Sequence, residues 1–118
     1  MTAAPDPRRS VEQLTRSHWP DPPPGATRLV TVAHALRRRP VGELTVEQLR
    51  LLIGQRIDLP HLLPLALRVL RADPLAEGDL YPGDLLAAVL RCTAEDWSGC
   101  PGAEAEVREL ARTSGIRP

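Results

Sequence analysis

This chain has no phenylalanine and no lysine, and only three of its 118 residues are aromatic: Trp19, Tyr81 and Trp97. Sheet cores draw on aromatic and β-branched side chains, so their scarcity leaves Leu, Val, Ile and Ala to fill the interior and favours helices. Long apolar runs are missing too: no stretch of eighteen apolar residues occurs, and the opening MTAAPDPRRS lacks an apolar h-region. These absences argue against a membrane span and a signal peptide, so a cytoplasmic location is expected, with Cys92 and Cys100 reduced. The two cysteines lie eight positions apart with no histidine nearby, which misses the common zinc spacings. No metal and no cofactor is expected.

Catalytic signatures are equally scarce. None of the four serines (Ser10, Ser17, Ser98, Ser114) stands in a GxSxG setting, and His18, His34 and His61 are scattered. His34 borders an apolar helical stripe and reads as a packed or hydrogen-bonded structural residue; His61 reads as a capping or surface residue. Gly78 and Gly83 flank acids, which would repel phosphate rather than cradle it. No catalytic residue is assigned, and the chain is not expected to be an enzyme.

The formal net charge is zero, against a general nucleic-acid or membrane-surface binder, yet it conceals an asymmetry. Met1 to Ala72 holds eleven Arg and six acids (+5), and Asp73 to Pro118 holds four Arg and nine acids (−5). The molecule is therefore expected to be bipolar.

The apolar spacing that is present is helical. Ser10 with Gln13 forms a capping-box pattern for a brief turn ending near Arg16, followed by the proline-rich HWPDPPPG, in which Trp19 is expected to act as an anchor. From Thr27 the stripe Leu29, Val30, Val32, Ala33, Leu36 predicts a helix closed by Arg37, Arg38 and Arg39, with Pro40 as its stop. Thr45 and Gln48 form a second capping box, with Leu44 and Leu49 as staple and Gly54 near the end. Leu59 to Ala72 is apolar nearly all round, as a central helix would be. Its Pro60 and Pro64 cannot both take the first helical position, so either the first turn is irregular or regular helix begins near Leu63.

A further helix is expected to open with Pro82 at its first position and Asp84 in its first turn, burying Leu85, Leu86, Val89 and Leu90, with Cys92 as a small core residue. Thr93 and Asp96 cap a turn carrying Trp97. After the SGCPG break, a last helix should run from about Pro101 to Arg112 with Val107, Leu110 and Ala111 inward. The fold class is all-α: a compact single-domain bundle of five or six short helices over residues 10–113, with a disordered arm at 1–9 and a frayed end at 114–118.

Between Arg71 and Arg91 lie four acids, Asp73, Glu77, Asp79 and Asp84, and no basic residue. This Pro/Gly-rich loop, with Tyr81 as its one aromatic, is suited to a positively charged partner. The binding set read from it is Glu77, Asp79, Tyr81, Asp73 and Asp84; Asp73 before Pro74 and Asp84 at a helix start also suit the local turn and dipole. The basic run Arg37 to Arg39 offers an alternative, a small DNA-binding regulator or antitoxin, although a solvated helix end explains it as well.

The segments WPDPPPGATRLV, HALRRRPVGELTVEQLRLLIGQ and LPHLLPLALRVLRADPLAEGDLYPGDLLAAVL, with Trp97, resemble the helical group of immunity proteins from contact-dependent growth inhibition systems. The resemblance covers roughly Ser10 to Trp97 and implies a small cytoplasmic protein that binds and blocks the C-terminal toxin domain of a cognate toxin, frequently a nuclease. The neutral net charge and the lack of long apolar runs already argue against a membrane or nucleic-acid partner, and the resemblance assigns nothing to Glu104, Glu106 or Glu109.

Overall fold

The computed structural model describes residues 6–16 and 18–115. Six α-helices and one 3-10 turn (Val41–Glu43) carry the regular structure among them, with two isolated β-bridges and no strand. The helices are α1 (Val11–Thr15), α2 (Arg28–Arg37), α3 (Val46–Gly54), α4 (Leu59–Ala72), α5 (Asp84–Leu90) and α6 (Ala103–Ser114). No helix among the described residues is long and apolar enough to cross a membrane. The chain groups into two compact units, Pro5–Leu44 and a second that runs from Thr45 onward.

In the first unit, α1 starts with the expected capping box: the Ser10 hydroxyl accepts from the Gln13 N–H, and the Gln13 amide oxygen accepts from the Ser10 N–H. Thr27 caps α2 in the same sense. Part of the expected arm is ordered. The Val41 N–H donates to the Arg9 carbonyl at 2.8 Å and the Gly42 N–H to the Pro7 carbonyl at 2.9 Å, so the chain before α1 pairs with the chain after α2. A Cβ at Gly42 would sit 2.6 Å from the Pro7 Cβ, so this crossing admits no side chain. The rest of the arm, residues 1–5, falls outside the described residues, as do 116–118 of the expected frayed end. The α2 stripe is only half buried: Ala33 and Leu36 lie inside, whereas Leu29 and Val30 are exposed.

In the second unit, α3 opens on the Thr45–Gln48 capping box and closes at Gly54. Helix α4 packs against α3, α5 and α6, which explains why its apolar residues occupy most of its circumference. Leu62, Leu63, Ala66 and Leu70 are buried in α4, joined by Leu52 and Ile53 from α3 and by Leu85, Leu86 and Val89 from α5. Each such Leu contributes about 1.5–3 kcal/mol relative to exposure. The helix is continuous from Leu59, with Pro60 in the first turn and Pro64 inside it, rather than beginning near Leu63. Pro64 lacks the N–H that would reach Pro60, yet it is itself buried, and burial on several sides offsets the one missing bond.

Two helix starts fall later than the sequence pattern suggests. Helix α5 begins at Asp84, not Pro82, because Gly83 takes a left-handed turn (φ 89°) and Pro82 bridges back to Glu77. Helix α6 begins at Ala103, not Pro101, after Gly102 in a similar turn (φ 84°). Trp97 is buried in a turn closed by reciprocal Thr93 and Asp96 bonds. Cys92 lies beyond α5 and is half-buried rather than a full core residue; both cysteines are free.

Candidate functional site

The pairing of α3 with α5 sets the geometry of the acidic loop, because it brings Glu47 and Arg50 alongside Asp84. The loop leaves α4 at Asp73, whose Oδ1 accepts from the Leu75 N–H at 3.1 Å, a local turn that redirects the chain. At its far end the Gly83 N–H donates to the Leu75 carbonyl at 3.2 Å, so the two stems are tied.

Between the stems, three consecutive amides are held by two carboxylates from different helices. Asp84 Oδ1 accepts from Gly78 N–H at 2.7 Å and Oδ2 from Leu80 N–H at 3.0 Å, while Glu47 Oε1 accepts from Asp79 N–H at 2.8 Å. Arg50 links the two acids: its Nε donates to Glu47 Oε1 at 2.7 Å and lies 3.7 Å from Asp84 Oδ2. Gly78 keeps this convergence free of a side chain. A Cβ there would stand 2.5 Å from Glu47 Oε1, 3.0 Å from Asp84 Oδ2 and 3.2 Å from the Glu47 Cα.

The electrostatics follow from these contacts. Burial pushes the Asp84 carboxyl up, but the Gly78, Leu80 and Tyr81 amides and the Arg50 charge outweigh it, so its pKa lies below the usual carboxylate value. Glu47 is likewise lowered, first by its hydrogen bond with Arg50 and then, against burial, by the Asp79 amide. Arg50 also corrects the picture of a loop without any nearby cation: it sits at the loop's base, thirty residues away in sequence from Leu80.

The five residues read from the sequence divide accordingly. Asp84 is 2% exposed, with its carboxylate occupied by loop amides. Asp73 is exposed but shapes the first turn. Glu77 and Asp79 are exposed, and their carboxylates make no hydrogen bond or ion pair with the described residues. Tyr81 points outward at 44% exposure, and Leu80 and Leu75, absent from the sequence reading, are exposed at 61% and 42%. Glu47, Arg50, Leu75 and Leu80 are thus the residues that sequence reasoning missed. The two leucines were on view, since nothing in the loop's spacing gave them a helical face to bury.

The basic run behaves differently. Arg37 is buried, with its guanidinium carbon 4.2 Å above the Trp19 ring and Nη2 donating to Thr15 Oγ1 at 3.2 Å. Trp19 in turn meets the His34 ring edge-on at 4.9 Å, so the expected anchor fastens the proline-rich segment to α2. Arg38 donates to the Trp19 carbonyl and to Asp21, and lies 3.5 Å from Glu12. The run is therefore not a solvated helix end: two of its three arginines hold its own unit together, which weakens the DNA-binding alternative.

The C-terminal acids are also engaged. Glu106 takes a two-pronged bond from Arg71 at 2.6 and 2.8 Å, tying α6 to α4, and Glu104 and Glu109 pair with Arg108 and Arg112 along α6. A groove of about 800 Å³ between the α3–α4 turn and the 93–100 turn has Arg56 on its wall, already bonded to Asp96 at 2.6 Å.

A comparison with curated proteins finds no match. A sequence profile of CDI immunity proteins, those of contact-dependent growth inhibition systems, matches residues 13–107, a span that contains α2 to α5, the acidic loop and most of its flanking structure. With that match over most of its length, the chain belongs to the CDI immunity protein family, and its function is toxin-neutralising immunity.

Proposed function

We propose that this immunity protein acts in the cytoplasm, by binding and not by catalysis, and that it blocks a nuclease toxin by placing the Asp73–Asp84 loop against the toxin's basic, phosphate-binding surface. The observation that carries this reading is the division of labour within the loop: Glu77, Asp79 and Tyr81 face outward while Asp84 and Glu47 fix the backbone beneath them. A nuclease cleft presents cations to bind phosphate, so a preformed negative loop meets them without further ordering. Asp73 stands at the edge of the same surface, and Asp84 contributes from below by holding its shape.

The test is Glu77→Arg combined with Asp79→Arg. Binding of the cognate toxin domain should weaken by at least about 2 kcal/mol, the scale of disrupted interfacial charge pairs. Cells expressing the toxin domain should lose protection. A folded double variant that protects as well as wild type would remove the loop from the mechanism, and a toxin domain that leaves RNA and DNA intact would remove the nuclease.

A further inference from the structure

Leu80 and Tyr81 occupy adjacent positions in the loop and are both well exposed, with the equally outward Leu75 five residues before Leu80. Exposed apolar side chains grouped within one short loop and flanked by charge mark an interaction surface more often than isolated ones do. What holds them outward is visible. Asp84 and Glu47 grip the backbone amides of Gly78, Asp79 and Leu80, and the stems are closed by the Glu77–Pro82 bridge and the Gly83–Leu75 bond. All of these bonds engage backbone atoms of the loop, and none of them uses the side chains at 77, 79, 80 or 81.

We propose that Leu80 and Tyr81 are the apolar anchor of the toxin contact, entering a hollow whose wall is apolar and whose rim carries arginine or lysine to meet Glu77 and Asp79. The proposal rests on the reading of this loop as the docking surface and names what the toxin must offer it. Charge selects this occupant over two others. A second copy would bring Glu77 and Asp79 against their own like, and an anionic lipid surface would be repelled by the same pair. Division of effect follows from physics: carboxylates at the rim govern how fast the complex forms, and buried apolar area governs how long it lasts.

The experiment compares Leu80→Ser with Tyr81→Ser against Glu77→Gln with Asp79→Asn, each in the full chain. Association and dissociation rates are measured at low and high salt on the immobilised cognate toxin domain, alongside melting temperatures. The serine pair is expected to melt as wild type and to dissociate at least about thirtyfold faster at both salt concentrations, as loss of a central apolar anchor would require. The amide pair is expected to associate more slowly at low salt, with the difference shrinking at high salt. Unchanged dissociation of the serine pair overturns the anchor, while a weakened amide pair in the same experiment would leave the acidic loop standing as the docking surface. If both pairs bind as wild type, the loop reading itself fails. A lowered melting temperature for the serine pair overturns the claim that these side chains take no part in the fold. Sedimentation equilibrium should give a monomer, and a dimer that the serine pair dissociates would make a second copy the occupant.

Discussion

In both the Arg37–Arg39 run and the acidic loop, the residue that belongs to a helix is taken into the fold: Arg37 ends α2, Asp84 opens α5, and they are 1% and 2% exposed. The two runs part company at the next residues. Arg38 is bound within its own unit by the Trp19 carbonyl, Asp21 and Glu12, whereas Glu77 and Asp79 have no such partners among the described residues. A run of like charge in a sequence is therefore not yet a surface. What makes one is the number of charges left over once caps, stacks and turns have been supplied, and the acidic loop has that remainder while the basic run is largely consumed.

The largest effects should come from the interior beneath the acidic loop. Leu86→Ala, on the same helix as Asp84 and fully buried, should lower stability by about 2–5 kcal/mol in chemical denaturation. Next come the two captured charges: Arg37→Ala and Asp84→Ala should each cost about 2–3 kcal/mol, since each removes a buried side chain together with its hydrogen bonds to part-buried partners. Arg39→Ala and Glu77→Ala should leave the melting temperature where it was. If all four variants behave alike, the distinction between captured and presented charge is lost. Gly78→Ala should be milder, about 1–2 kcal/mol, because Glu47 can swing aside only by releasing Arg50 and the Asp79 amide.

Acid sharpens the same contrast at smaller amplitude. Asp84 and Glu47 have folded-state pKa values below their ordinary ones, so their stabilising contribution is fully present above the ordinary carboxylate values and is lost as the pH falls through the lowered ones. Asp84→Asn should flatten the acid limb of a stability–pH curve, because an amide would point its NH2 at one of two amide donors that a carboxylate can accept together. An unchanged acid limb would mean that the Asp84 grip is not made in solution.

The features legible in the sequence were those decided within a few residues. Ser10 with Gln13, Thr45 with Gln48, and Thr93 with Asp96 all act on their own turn, and each caps as its spacing implied. The α5 start was misjudged because the preference of proline for the first helical position is local and weak, while the Glu77–Pro82 bridge and the left-handed Gly83 are set by the closure of the whole loop. Glu47 and Arg50 were illegible for a related reason. On α3 they look like an ordinary i, i+3 surface pair, and only the packing of α3 on α5 reveals that they hold a loop more than thirty residues further on. Arg37 looked like a dipole complement until Trp19 supplied its stacking face.

The central claim, that Glu77 and Asp79 are presented to the toxin while Asp84 is reserved for the loop, can be read in one carboxyl-labelling experiment. Carbodiimide-driven coupling of a small amine, quantified residue by residue by mass spectrometry, is run on the protein alone and on its complex with the toxin domain. Glu77 and Asp79 should label readily in the free protein and lose most of that labelling in the complex, with Asp84 unlabelled in both. Equal labelling of Glu77 and Asp79 with and without the toxin would contradict the account.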